Sequence, residues 1–244
     1  MDRLKKAIKQ SALLVMLILV PGLWLSAEEL KVSLAKMPVY AESSDKGVLV
    51  DLSKMLAKEL KMDLNLSVVP FARSIDKAVK KSVHFHMPLI ESPGYRNEVL
   101  PFDYSTATIF HVNFVLYENK KNPLKLDNMA AYKIETDRAH VNYFPFDAIS
   151  SSCLECSLKK VNIGRIDGFI FAEFASDPLV KMNNLTNIKR RLYKVFDVKI
   201  VLPKGDRGGR VDQMLVTAID NLRATGEYQK LMEQIDMPYN DWQP

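Results

Sequence analysis
Along residues 30–34 the side chains alternate, with Leu30, Val32 and Leu34 apolar and Lys31 and Ser33 polar. That is the period of a half-buried strand. Met37-Pro38-Val39-Tyr40 then breaks the pattern into a loop. Between residues 50 and 60, Leu52, Met55, Leu56 and Leu60 recur at helical spacing, with Lys and Glu on the opposite side. Leu64, Leu66 and Val68 return to alternation, and a short helix over 74–81 leads to an apolar strand over 83–89. The resulting β-α-β-α-β order predicts a parallel sheet with right-handed crossovers.

The second part of the chain repeats the scheme less regularly. Residues 110–117 are rich in aromatic and β-branched side chains and read as a strand. Residues 118–128, with Pro123 among lysines and asparagines, read as a surface loop. A further βαβ-like unit begins at 132–136, continues through a helix near 147–160 and reaches a strand at 168–171. Another strand over 198–202 is closed by Pro203-Lys204-Gly205. The end is helical: Met214, Leu215, Ala218, Ile219 and Leu222 share a face, Gly226 interrupts, and Tyr228, Leu231, Met232 and Ile235 resume.

Ahead of this pattern, residues 1–27 have the form of a secretory signal peptide: Arg3, Lys5, Lys6 and Lys9, an apolar run from Ala12 to Leu25, and the small residue Ala27. The competing reading is a membrane anchor. The run is shorter than the roughly 20 apolar residues of a spanning helix and contains Pro21-Gly22. Cleavage is expected after Ala27, and no cysteine follows the run to carry a lipid. The expectation is a soluble periplasmic protein, working where ATP and NADH are absent.

Charge changes the picture little. The whole chain carries +5, of which the export segment holds four Lys/Arg and Asp2, leaving the remainder near +2. The basic clusters are Lys189-Arg190-Arg191 and Lys80-Lys81, which read as solvated surface. No nucleic-acid partner is expected, since that needs a clustered basic face. Two cysteines, Cys153 and Cys156, leave three readings open: a local disulfide, free thiols, or a redox or metal role. A zinc site needs about four ligands, and the nearby chain offers no partner pair. His84 and His86 alternate on one strand and face the same way. Two histidines without a third ligand make a weak metal site, so both read as hydrogen-bonded structural residues. No metal and no cofactor is expected.

Four motifs occur in order. They are Gly47 to Leu60 (Gly-Val-Leu-Val-Asp-Leu-Ser-Lys-Met-Leu-Ala-Lys-Glu-Leu), Arg96 six residues before Phe102, Gly164-Arg165-Ile166-Asp167-Gly168, and Ala224-Thr225-Gly226-Glu227-Tyr228-Gln229-Lys230-Leu231. With them the chain resembles the bacterial periplasmic solute-binding proteins that serve amino-acid-type ABC importers. The resemblance implies an α/β, two-lobed type II periplasmic binding fold, each lobe a mostly parallel sheet flanked by helices, with two crossovers. Lobe 1 would comprise 28–106 plus 206–244, and lobe 2 107–205, in a monomer.

The same resemblance implies site residues. Arg96 falls where the family grips a ligand carboxylate, a task suited to a planar, permanently charged guanidinium; its alternative is an ion pair with Glu91 or Glu98. Tyr40 falls where family members stack an aromatic ring on the ligand, and Phe71 where an aromatic lines the cleft. Arg73 is a second cationic contact or a surface cap. Glu91 accepts hydrogen bonds from a ligand or neutralises Arg96. Arg138 and His140 fall at the second-lobe turn that holds the carboxylate in the family, where a helix N-terminus favours anions. Tyr143, Phe144 and Phe146 line that lobe's face or pack its core. One position departs from the family: Ala172 stands where an acidic residue pairs with the ligand ammonium, with Glu173 beside it. A carboxylate or other anionic solute is therefore expected over a standard α-amino acid.

These features imply a non-enzymatic receptor that captures a small polar, carboxylate-bearing solute between two lobes and delivers it to an ABC-type permease. The alternatives are a solute-sensing accessory protein for a membrane signalling partner, or a periplasmic dehydratase on the same fold, with His and Glu near the cleft as acid and base. No Ser-His-Asp, Cys-His or paired-carboxylate arrangement stands out for the last of these.

Overall fold
A computed structural model describes residues 28–93 and 99–244. Residues 1–27, read above as an export signal, and Arg96 lie outside the described residues. The chain begins with β1 (Glu29–Ala35), α1 (Val48–Leu60), β2 (Asp63–Val69), α2 (Phe71–Val79) and β3 (Phe85–Ile90), the order that the hydrophobic pattern predicts. β4 (Phe102–Asn119), β5 (Ile134–Asp137), β6 (Ile149–Ser151), α3 (Leu154–Asn162), β7 (Gly168–Ala172) and α4 (Glu173–Met182) follow. The chain ends with β8 (Ile188–Pro203), α5 (Arg210–Ala224) and α6 (Glu227–Met232).

The strands form one eight-stranded sheet in the order β2-β1-β3-β8-β4-β7-β5-β6. β1 pairs in parallel with β2 and β3, and β5 in parallel with β6 and β7. The two parallel trios are joined by the long antiparallel pair β4–β8. β3 adds to β8 near Val198 and Val201, while β7 adds to β4 over Phe114–Glu118. Each end of the sheet is thus a half with its own trio, and both halves share the same two long strands.

Packing follows the helical periodicity. α1 buries Leu49, Leu52 and Leu56, and α5 buries Leu215, Ala218, Ile219 and Leu222 in the same core. The Asn221 amide on α5 donates to Glu59 of α1 at 2.8 Å. Asp212, fully buried in the first turn of α5, accepts from Ser105 Oγ at 2.5 Å, from the Thr106 backbone at 3.2 Å and from Gly208 N at 2.8 Å. The closing helices thus pack on α1 and on the start of β4.

Three local expectations change. The helix expected near 147–160 starts later, because β6 takes 149–151 and the Cys153 sulfur accepts from Cys156 N to open α3. Cys153 and Cys156 form a disulfide across that first turn. Helix α4 escapes the periodicity reading because Pro178 sits inside it. The third change concerns the basic run: Lys189 is exposed, but Arg190 is fully buried and Arg191 pairs with buried Glu118 at 3.1 Å.

The reason is the C-terminal tail, which leaves α6 in the first half and lies across the second. Arg190 Nη1 donates to the carbonyls of Asn240 and Trp242, and Nη2 pairs with Glu173 at 3.0 Å and Asp177 at 2.8 Å. The guanidinium also faces the rings of Tyr239 and Trp242 at 5.0 and 4.9 Å. Asp177 accepts as well from Tyr117 Oη at 2.6 Å and Trp242 Nε1 at 3.0 Å. Removing the cation would leave two partly buried carboxylates without their countercharge. Arg190→Met is expected to cost about 3–5 kcal/mol of stability in urea unfolding; an unchanged midpoint would contradict this role for the cluster.

Candidate functional site
Where β1, β3 and β7 end beside the long strands, residues of both halves line a cavity of about 130 Å³. The carboxyl ends of parallel strands are the usual place for ligands in α/β sheets. The first half contributes Met37, Tyr40, Phe71, Pro88, Leu89 and Ile90. The second contributes His140, Tyr143, Phe171, Ala172 and Phe174. Phe110, Val112 and Phe114 of β4, with Val198 of β8, complete the lining from the shared strands.

Tyr40 is held by the loop that opens α1. The Val39 and Tyr40 carbonyls accept from Val48 N at 3.0 Å and Leu49 N at 2.8 Å, satisfying amides at the helix start. Gly47 makes this close approach possible: its φ is 137°, and a Cβ there would lie 2.5 Å from the Tyr40 carbonyl oxygen. The Tyr40 ring packs on Phe110 at 5.6 Å and edge-on to Phe174 at 5.7 Å, the second contact crossing between the halves. Burial pushes the Tyr40 hydroxyl's pKa well above its usual value.

Phe71 opens α2 directly after Pro70 and remains 40% exposed. Behind it, Ser74 Oγ lies 2.8 Å from Ser33 Oγ and 2.6 Å from His86 Nδ1, a buried trio that fixes α2 against β1 and β3. Burial lowers the pKa of His86 to about 4, so its imidazole is neutral at pH 7 and serves as a structural ring against Phe71. His84 likewise has a backbone partner, accepting from Lys31 N at 3.0 Å.

In the second half, Asp137 at the end of β5 accepts from Ala139 N at 2.9 Å and lies 3.2 Å from His140 Nδ1. This orients the His140 ring among Tyr143, Phe171 and Phe114 at 4.9, 5.2 and 5.5 Å. Burial lowers the His140 pKa against the opposing pull of Asp137. Tyr143 Oη donates to the Ile90 carbonyl at 3.2 Å, a second contact between the halves.

Of the site residues that the sequence suggests, Tyr40, Phe71 and His140 come together in the cavity. Arg73 and Arg138 are exposed and stand outside the lining. Glu91 pairs with Lys199 at 3.7 Å and borders a neighbouring depression with Ser92, Pro93 and Lys194. Ala172 lines the cavity, while Glu173 turns away: its Oε1 accepts from Asn113 Nδ2 at 2.7 Å and its Oε2 pairs with Arg190. Desolvation raises the Glu173 pKa. Among the described residues the lining contains no Asp, Glu, Lys or Arg. Sequence reasoning treats Phe110, Phe114 and Phe171 only as strand residues and passes over Phe174. The alternation Phe110, Val112, Phe114 on one strand face was the available signal. A second hollow of about 330 Å³ adjoins the first, sharing Met37, Tyr40, Val112 and Phe174 and reaching Glu173 and the tail at Met237. Among the described residues no three His, Cys, Asp or Glu side chains gather into a metal-holding group.

No protein-family model matches the chain, and no curated protein matches it in sequence. Solved structures do. The ligand-binding core of GluR0 from Nostoc punctiforme, in complex with L-glutamate, superposes with a TM-score of 0.60 at 15% identity, covering 86% of this chain and 100% of that one. A histidine kinase sensor domain with similarity to periplasmic binding proteins gives 0.59 at 14% identity, covering 86% and 96%. The arginine-, lysine-, histidine-binding protein ArtJ from Geobacillus stearothermophilus gives 0.56 at 16% identity, covering 85% and 94%. At these identities the likeness is one of fold: the chain has the two-lobed type II periplasmic binding fold.

Gly47→Ala tests how Tyr40 is held. The substitution places a Cβ in a backbone region open essentially to glycine and against the Tyr40 carbonyl. It is expected to lower stability by about 1–3 kcal/mol in thermal unfolding; a wild-type midpoint would contradict the close approach.

Proposed function
We propose that the protein is an extracytoplasmic solute receptor. Residues 1–27 direct export, and the remaining chain, acting as a monomer, captures a small carboxylate-bearing solute between its halves and delivers it to an ABC-type permease. The observation that carries this reading is the cavity walled by side chains of both halves at the ends of their parallel strands. The lobes are then 28–106 plus 206–244 and 107–205. Register shifts in β4 between Tyr104 and Phe110 give the shared strands a place to bend as the lobes close by a hinge motion. The Tyr40–Phe174 and Tyr143–Ile90 contacts act as the latches of the closed form.

Within this reading Tyr40, Phe71 and His140 surround the body of the solute, and Arg96 takes its carboxylate. Binding cores and a binding protein among the similar folds support capture rather than turnover. A sensing role is the second reading, supported by the kinase sensor domain of like fold. The two differ in the membrane partner and not in the cleft. Crosslinking in cells to a permease or to a signalling receptor separates them.

A thermal-shift screen of organic acids and amino acids tests capture itself, because a ligand that binds only the folded state raises its stability. A saturating rise with at least one small solute is expected; a flat response across the screen contradicts the reading. Arg96→Ala is expected to weaken an anionic ligand by about ten- to a hundredfold in calorimetry, the loss of a charged hydrogen-bond partner. Unchanged affinity would remove Arg96 from the site.

A further inference from the structure
Seven of the fifteen side chains lining the cavity are Phe or Tyr. Two of them, Phe71 on the first half and Phe174 on the second, keep 40% and 49% of their surface in water. A flat apolar group inserted between the halves would cover both, and its removal from water would add to closure. Among the described residues the polar lining is confined to hydroxyl and imidazole groups, those of Tyr40, Tyr143 and His140, and both Tyr143 and His140 already hold hydrogen bonds within the protein.

The acid that could meet a cation is spoken for. Ala172 occupies the wall, and the neighbouring Glu173 lines the adjoining hollow, where Asn113 and Arg190 hold its carboxylate. A primary ammonium brought into this lining would lose its hydration shell and meet no carboxylate among the described lining residues. Attraction to ring faces is smaller than that desolvation penalty.

Resting on the reading of the cavity as a solute site, we propose that the part of the solute buried there is an uncharged aromatic ring, and that the protein selects aryl solutes lacking an α-ammonium group over amino acids. The ring would sit among Tyr40, Phe71, Phe171 and Phe174, contacting both halves at once.

Three probes isolate the two features by calorimetry on the full mature chain. 3-Phenylpropionate has the ring without the ammonium, L-phenylalanine adds the ammonium, and hexanoate keeps the carboxylate without a ring. 3-Phenylpropionate is expected to bind at least about tenfold more tightly than either of the others. Phe71→Ala should weaken it by about tenfold, while Phe71→Tyr, which keeps the ring, should leave it near wild type. Equal or tighter binding of L-phenylalanine overturns the exclusion of the ammonium, and equal binding of hexanoate overturns the need for a ring. If none of the three binds but L-arginine or L-glutamate does, the aryl assignment fails and the receptor reading stands. If no solute of any class binds, both fall.

Discussion

Backbone pairing between β4 and β8 runs from Phe102↔Pro203 to Asn119↔Ile188, and every other element is placed relative to that ladder. An antiparallel pair has two free edges, and here each edge is used at a different end. β3 docks on β8 at one end and β7 docks on β4 at the other, so one pair of strands organises two parallel trios. From one docking region to the other the long strands carry Phe110, Val112 and Phe114 of β4 into the cavity wall, Phe114 already opposite Ala172 of β7. Breaks in register along β4 fall beside these residues. Where the ladder is interrupted, a strand bends and twists more readily.

Charge is distributed so that the cavity stays neutral. The second half buries several ionised groups, but they are matched within its own architecture: Arg190 with Glu173 and Asp177, and Arg191 with Glu118. Such pairs cost desolvation and are retained only with good geometry and further hydrogen bonds. The tail supplies these through its carbonyls and rings, which also fastens a segment leaving the first half onto the second. Because Glu173 is committed to this cluster, the wall it might have formed is left to Ala172 and Phe174. The aromatic character of the cleft and the burial of Arg190 thus follow from one arrangement.

Much of the first half was legible because its elements are short and carry regular apolar spacing. Alternation in β2 and helical spacing in α1 survive there, whereas β1 also buries its polar Ser33, which bonds to Ser74 of α2. The long strands were harder: only the middle of β4 and the end of β8 read as strand, since their remaining polar residues serve tail and turn contacts that local periodicity does not register. Lys189-Arg190-Arg191 looked solvated for the same reason, as the groups that bury Arg190 come from residues 173–177 and 240–242, far away in sequence. At the site, Tyr40, Phe71 and His140 were suggested by resemblance, whereas Phe174 sits on a helix that Pro178 concealed. The exposed settings of Arg73 and Arg138 depend on the direction of a helix face and a short turn, which residue type does not encode.

In the proposed receptor, a solute is held between the halves by the aromatic side chains around β4 and β8. A crystal structure of the protein grown with a solute that raises its thermal stability tests this most directly. Density for the solute is expected in the cavity, in contact with Tyr40 and Phe71 on one side and Phe171 and Phe174 on the other. Density on any other surface, with the cavity filled only by water, would contradict it.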